Sequence, residues 1–301
     1  MSFLSIEQFT TKADVELFIF DVFKMKHSSI YYGETVHELL KNKILIHLFY
    51  EPSTRTQCSF QCAMIRLGGN VMNVSLNDSS VKKGESFEDT IRTLENYGDA
   101  IVIRHPEVGS VAKADKLTHL PVINAGDGNG EHPTQALLDI VTIEFELQKR
   151  KIGIEHCCVG FVGDLKNSRT IHSLIYLLKF FNITILAYCP EELSYHDTSI
   201  HYCDSMEDVL RNVDVLYVTR IQKERFTDSF EYNELTKTYN YRITKDNIEM
   251  MKPSAIVMHP LPRNDEISPD VDDNPRCVYF NQMKNGVYVR MALLNIILNS
   301  Y

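Results

Sequence analysis

The sequence predicts an α/β fold of two domains, each a mainly parallel sheet flanked by helices, and three observations predict it. Short Val- and Ile-rich runs recur without polar alternation, as expected of parallel strands covered on both faces. Segments with apolar residues at helical spacing lie between them, and alternating strand and helix is the signature of α/β architecture. A charged, Gly-containing stretch at 148–156, QKRKIGIEH, separates two such series.

In chain order, a strand is expected at 43–50, followed by a helix at 57–67 with a Gly68-Gly69 stop signal. A second strand covers 100–105, and a helix at 133–147 opens with Pro133, suited to a first turn. Strands at 157–164 and 183–188 flank a helix at 170–181. Ser205 caps a helix at 205–212, and strands at 213–219 and 255–259 close the second series. Residues 222–247, polar and Tyr-rich with weak periodicity, read as a long surface loop. The chain closes with an amphipathic helix at 289–298. The division adopted is 1–148 and 149–286; the terminal segment 287–301 can pack on either domain and is returned to the first.

Over 301 residues, 44% are hydrophobic and 24% charged, the balance of a globular protein large enough for two cores. Lys+Arg 31 less Asp+Glu 40 leaves a net charge of −9. That excludes bulk electrostatic binding to nucleic acid or an anionic membrane, so any anion must be held by a few concentrated basic residues. No apolar run reaches membrane-spanning length, and the N-terminal residues lack a secretory layout. The seven cysteines, Cys58, Cys62, Cys157, Cys158, Cys189, Cys203 and Cys277, have no zinc spacing and read as reduced thiols of an intracellular protein. Asn182-Ile-Thr is a chance glycosylation triplet in an apolar setting. No motif calls for a metal or cofactor: there is no P-loop, and GFVGD at 160–164 misses dinucleotide-binding spacing.

In open α/β sheets ligands bind beyond the carboxyl ends of strands. Arginines occur at four such places: Arg55, Arg104, Arg169 and Arg220. A guanidinium fork matches phosphate and carboxylate oxygens, so the set points to anionic ligands rather than incidental surface ion pairs. The sharpest segment is EPSTRT at 51–56, where Ser53, Thr54, Arg55 and Thr56 crowd a helix start beside Glu51. This is a cradle for a phosphate dianion, with capping by Ser53 or Thr54 as the plainer alternative. Two further segments stand out. SSVKKGES at 79–86 carries adjacent lysines in a polar loop, ordinarily a solvated turn. His132, among glycines that permit close backbone approach, suits either a capping or a catalytic role.

Taken in order, YEPSTRT, KKGES, RHPE, NAGDGNGEHPTQALLD, VGDLKNSRTIHSL, YVTRIQKERF, MHPLPRNDEI and YFNQ resemble the carbamoyltransferase family over nearly the whole chain, in particular its aspartate-specific branch. The resemblance implies transfer of a carbamoyl group from carbamoyl phosphate to L-aspartate, early in pyrimidine biosynthesis, at an inter-domain cleft and subunit interface. It implies that Ser53, Thr54, Arg55, Thr56 and Arg104 hold the phosphate. Thr56, Arg104 and His132 would polarise the carbamoyl oxygen. Gln135 and the backbone carbonyls of Pro260 and Leu261 would hold the amide. Arg169, Arg220 and Gln222, with Lys83 and Leu261, would receive aspartate.

Ser79 and Lys83 would come from a neighbouring subunit, making a cytoplasmic homotrimer with shared sites the smallest complete enzyme, and leaving room for a regulatory chain or higher assembly. Glu51 would pair with Arg169 and Arg225 across the domains. The ornithine-using sibling shares the phosphate motif. An arginine-rich acceptor site would repel cationic ornithine, and HPLP at 259–262 stands where the sibling resembles HCLP. A catalytically silent relative and a periplasmic-type anion-binding module are the competing classes, and turnover separates both from an enzyme.

Overall fold

The computed structural model describes residues 1–75, 83–223, 226, 228–239 and 241–299. The chain divides into two compact units, Met1–Val141 with Met283–Tyr301, and Thr142–Gln282. The first crossing between them falls inside helix α6, so continuous helix, not a linker, joins them there. Among the described residues no helix is long and apolar enough to cross a membrane.

The first unit opens with α1 (Lys12–Tyr31), whose Thr11–Asp14 capping box satisfies its first turn, and α2 (Gly33–Val36). Then come β1 (Ile44–Phe49), α3 (Thr54–Arg66), β2 (Asn70–Val74), α4 (Phe87–Leu94), β3 (Ala100–His105), α5 (Ser110–Asp115), β4 (Val122–Asp127) and α6 (Pro133–Lys149). The sheet is parallel with order β2-β1-β3-β4. Ile46 and Leu48 of β1 pack with Ile91 of α4 and Val111 of α5. The intervening His47 meets Phe60 of α3, so both faces of the sheet are covered.

The second unit contains β5 (Cys158–Val162), α7 (Arg169–Leu178), β6 (Thr184–Tyr188), β7 (Ile200–Tyr202), α8 (Met206–Asn212) and β8 (Val215–Val218). It continues with α9 (Ser229–Thr238), α10 (Lys245–Met250) and β9 (Ile256–Met258). Its sheet is also parallel, with order β7-β6-β5-β8-β9. Helix α11 (Tyr279–Asn299) begins ten residues before Val289, and from Met283 onward it clusters with the first unit.

Both strand orders reverse direction once. In the first unit the chain moves outward from β1 to β2, then returns to place β3 on the other side of β1. In the second it does the same around β5 and β8. Such switch points splay adjacent loops apart and open a crevice at the strand ends. The β1–α3 loop and the end of β3 flank one switch point. The β5–α7 loop and the residues after β8 flank the other.

The expected loop at 222–247 is instead partly helical, containing α9 and the start of α10. Its tyrosines form a small core: Tyr239 is buried with Leu193 and Ile221, stacks on Tyr188 at 4.7 Å between ring centres, and faces Tyr241 at 5.5 Å. Tyrosine supplies apolar area while its hydroxyl finds a partner, which makes such a stretch read as polar. The remaining helix and strand expectations agree with the structure to within a few residues, except that α3 starts earlier, at Thr54, and α11 ten residues earlier, at Tyr279.

His47 gives the first unit a defined acid response. Its Nδ1 lies 3.1 Å from Asn73 Oδ1, an acceptor, so Nδ1 carries the proton, while buried Nε2 has no hydrogen-bond partner. A second proton would therefore sit where nothing accepts it. Burial lowers the pKa from 6.5 to about 4, against the opposing Asn73 contact. Stability tied to neutral His47 is thus complete above pH 6.5 and is lost as pH falls toward 4. The expected loss is on the order of 3 kcal/mol. Urea titrations across that range should show it in the wild type and not in His47→Gln; identical slopes would contradict the assignment.

Candidate functional site

At the first switch point the sequence dictates an abrupt start to α3. Pro52 lacks an amide hydrogen and cannot extend the strand ladder, so β1 ends and Ser53 becomes the N-cap. The Ser53 side chain makes no capping hydrogen bond. A hydroxyl at a helix N-terminus that leaves the first-turn N–H groups unclaimed is suited to an incoming anion. Thr54 and Arg55 are exposed on the same first turn, whereas Thr56 is only 6% exposed.

Arg104 reaches this helix start because β3 pairs with β1 in register, with Arg104 opposite Phe49. Its guanidinium donates to Ala125 O at 3.3 Å and pairs with Glu51 at 3.2 Å. Burial lowers the Arg104 pKa although Glu51 opposes the shift. Arg55 is lowered by desolvation and then by Arg104. Arg55 and Arg104 therefore lie close enough to interact at one pole of the sheet, where Glu51 pairs with Arg104.

From the β4–α6 junction, buried His132 presents Nε2 at 3.4 Å from Thr56 Oγ1. Gln135 is fixed one turn later: its Nε2 donates to Asp139 Oδ1 at 2.9 Å. A carboxylate only accepts, so the amide nitrogen of Gln135 is committed and its oxygen is the atom left to receive a donor. Ser53, Thr54, Arg55, Thr56, Arg104, His132 and Gln135 thus lie together as one candidate half-site on the first unit. Lys83 is exposed. Ser79 lies outside the described residues. Glu51, whose resemblance-implied partners are Arg169 and Arg225, is engaged by Arg104 within its own unit; Arg225 also lies outside the described residues.

A second candidate half-site, on the second unit, is organised by Asp164, whose supporting role the sequence does not show. Asp164, fully buried after β5, accepts Asn167 N at 3.0 Å and Asn167 Nδ2 at 3.0 and 3.1 Å. It also accepts Gln222 N at 3.4 Å, while Gln222 Nε2 donates to Asn167 O at 2.9 Å. This ties the segment after β8, with half-buried Arg220, to the loop that starts α7 at Arg169. Gly163 makes the approach possible: at φ 115, a Cβ there would lie 2.0 Å from Thr219 O. The signal available in sequence was the Gly-Asp ending of GFVGD.

Pro260 and Leu261 follow β9. Leu261 has φ 53, unusual for a branched side chain and costing about 1–2 kcal/mol. Downstream, Arg263 pairs with Asp272, which also accepts from the Tyr279 hydroxyl. Among the described residues no group of three or more His, Cys, Asp or Glu could hold a metal.

Residues 1–145 match the family model described as aspartate/ornithine carbamoyltransferase, carbamoyl-P binding domain, and residues 155–297 match the Asp/Orn binding domain. The aspartate carbamoyltransferase catalytic subunit of Methanothrix thermoacetophila is 47% identical over 272 residues, covering 87% of each chain. The multifunctional protein pyr1-3 of Dictyostelium discoideum is 49% identical over 86% of this chain, which spans 12% of that longer protein. The crystal structure of aspartate transcarbamoylase from Trypanosoma cruzi with carbamoyl phosphate and aspartate has a TM-score of 0.89 at 40% identity. It covers 98% of this chain and 96% of that one.

Ser53 and Ser86 make a controlled pair. Ser86 caps α4 by accepting Asp89 N at 3.1 Å, whereas Ser53 caps nothing. Ser86→Ala should cost about 1 kcal/mol in urea unfolding. Ser53→Ala should stay within about 0.5 kcal/mol yet weaken phosphate binding by about tenfold, the loss of one bond to a charged acceptor. A Ser53→Ala variant that loses stability like Ser86→Ala would show the hydroxyl to be a cap after all.

Proposed function

The chain belongs to the aspartate/ornithine carbamoyltransferase family, and we propose on that premise that its half-sites hold the two substrates of one reaction, carbamoyl phosphate on the first unit and L-aspartate on the second. The reaction transfers the carbamoyl group to the aspartate amino nitrogen, giving N-carbamoyl-L-aspartate and phosphate. The observation that carries this reading is the α3 start, where a hydroxyl free of capping duty stands with two interacting guanidiniums, Arg55 and Arg104, the latter paired with Glu51.

Ser53, Thr54, Arg55 and Thr56 take the phosphate oxygens, with Arg104 spanning phosphate and carbamoyl oxygen. The aspartate amine attacks the carbamoyl carbon and a tetrahedral oxyanion forms. The carbon–oxygen bond to phosphate then breaks, and the amine proton leaves on the departing hydrogen phosphate. Thr56, Arg104 and His132 supply donors where the oxyanion develops, each worth on the order of 10²–10³ in rate. The Gln135 oxygen and the Pro260 and Leu261 carbonyls accept from the carbamoyl NH₂ group. No residue becomes covalently attached. Holding both reactants in near-attack geometry supplies roughly 7–11 kcal/mol more.

Arg169, Arg220 and Gln222, with Leu261, receive the two carboxylates of aspartate, an arrangement that disfavours the ammonium-bearing side chain of ornithine. Lys83 and Ser79 complete the site from a neighbouring copy in a cytoplasmic homotrimer, consistent with the exposure of Lys83. Glu51, Arg169 and Arg225 are the proposed interdomain set.

The test is carbamoyl-aspartate formation at known oligomeric state, with aspartate and ornithine in parallel. Aspartate should be carbamoylated and ornithine not; the reverse, or no turnover, overturns the reading. Arg55→Ala and Lys83→Ala should each be inactive, and mixed trimers of the two should recover partial activity. Verified mixed trimers without recovery would rule out shared sites.

A further inference from the structure

The turn after β9 is built around one buried imidazole. His259 Nδ1 lies 2.8 Å from Leu261 N, and Nε2 lies 2.8 Å from Glu266 Oε1. A backbone N–H only donates, so Nδ1 holds the lone pair and Nε2 the proton: the tautomer is set by its two partners. Glu266 in turn accepts Asn264 N at 3.1 Å on its other oxygen, and the His259 N–H donates to Gln282 Oε1 at 3.0 Å. His259 and Glu266 are 1% and 3% exposed, too buried to serve as a surface ion pair. Burial would raise the Glu266 pKa, but His259 and the backbone donors lower it, which keeps the carboxylate ionised and the imidazole oriented.

The product of this arrangement is a leucine held at φ 53. A side chain with a Cβ does not stay there unaided, and backbone held in such regions by its surroundings concentrates at ligand sites. The structure supplies the restraint two residues upstream, in the Nδ1 lone pair of His259.

We propose that His259, oriented by Glu266, is a positioning residue for the carbamoyl end of carbamoyl phosphate: it fixes Leu261 so that the Pro260 and Leu261 carbonyls form the acceptor pair for the carbamoyl NH₂. This rests on the function proposed above and adds a specificity device to it. The device selects the NH₂ group and is indifferent to phosphate, so carbamoyl phosphate depends on it, whereas inorganic phosphate and acetyl phosphate, which lack that group, do not.

Asparagine and glutamine separate the two ends of the ring. His259→Asn places an amide oxygen near the Nδ1 position and keeps an acceptor for Leu261 N–H. His259→Gln reaches the Nε2 position, keeps a donor to Glu266 and removes that acceptor. His259→Gln is expected to raise KM for carbamoyl phosphate about tenfold, the effect of one buried donor left unpaired. The inhibition constants for inorganic phosphate and acetyl phosphate should shift less than about twofold. His259→Asn should recover most of the loss in KM.

Equal KM values for the two variants, or phosphate and acetyl phosphate inhibition weakening in parallel with KM, would overturn the proposal and leave His259 a structural residue only. If His259→Gln fails to fold, Glu266→Gln, which loosens the ring without removing it, should raise KM about threefold with phosphate inhibition unchanged; no change in KM overturns the proposal equally. A wild-type protein that binds phosphate but does not carbamoylate aspartate would instead refute the underlying function.

Discussion

Two like charges brought together at a sheet's switch point are the constraint on which this molecule turns. Arg55 and Arg104 come from segments 49 residues apart, and the pairing of β1 with β3 forces them to one pole. Partial desolvation lowers the pKa of both guanidiniums, and Arg104 adds repulsion to Arg55 although Arg55 keeps an exposed side. Glu51 answers only part of the charge. The parallel sheet and its helices supply the cohesion that holds this arrangement. On the proposed reading, a dianion at the α3 N-terminus would relieve the repulsion and take up the first-turn donors.

The second unit uses the opposite device. A buried carboxylate, Asp164, gives its oxygens to Asn167 and Gln222, rigidifying the strand-end loops without adding exposed charge. The HPLP turn is held by the His259–Glu266 pair. Each candidate half-site thus has its polar groups on loop ends and their supports in the buried residues behind. That division follows from the α/β plan, in which the core belongs to the sheets and the chemistry to their carboxyl edges.

The EPSTRT motif was legible because Pro, hydroxyls and Arg at a helix start have one chemical use in common, and strand–helix alternation was legible from periodicity. Strand order was not: nothing local in β1 says that β3, and not β2 alone, lies beside it. That order brings Glu51 to Arg104, a pairing no motif suggests. The tyrosines at 232, 239 and 241 concealed a small core by reading as polar. The supporting roles of Asp164, His259 and Glu266 are not legible in the sequence, because these residues act through backbone N–H groups and other side chains and such support is visible only once the turns are closed.

On the proposed reading, the paired guanidiniums weaken the empty protein and reward the anion. The most direct measurement of this is the unfolding free energy of wild type and Arg55→Ala, with and without saturating phosphate. The expectation is a reversal. Without phosphate Arg55→Ala should match or exceed the wild type; at about 100 times Kd the wild type should gain roughly 2.7 kcal/mol and the variant little. An Arg55→Ala protein markedly less stable without anion, or one gaining as much from phosphate as the wild type, would show that the guanidinium pair does not set anion affinity.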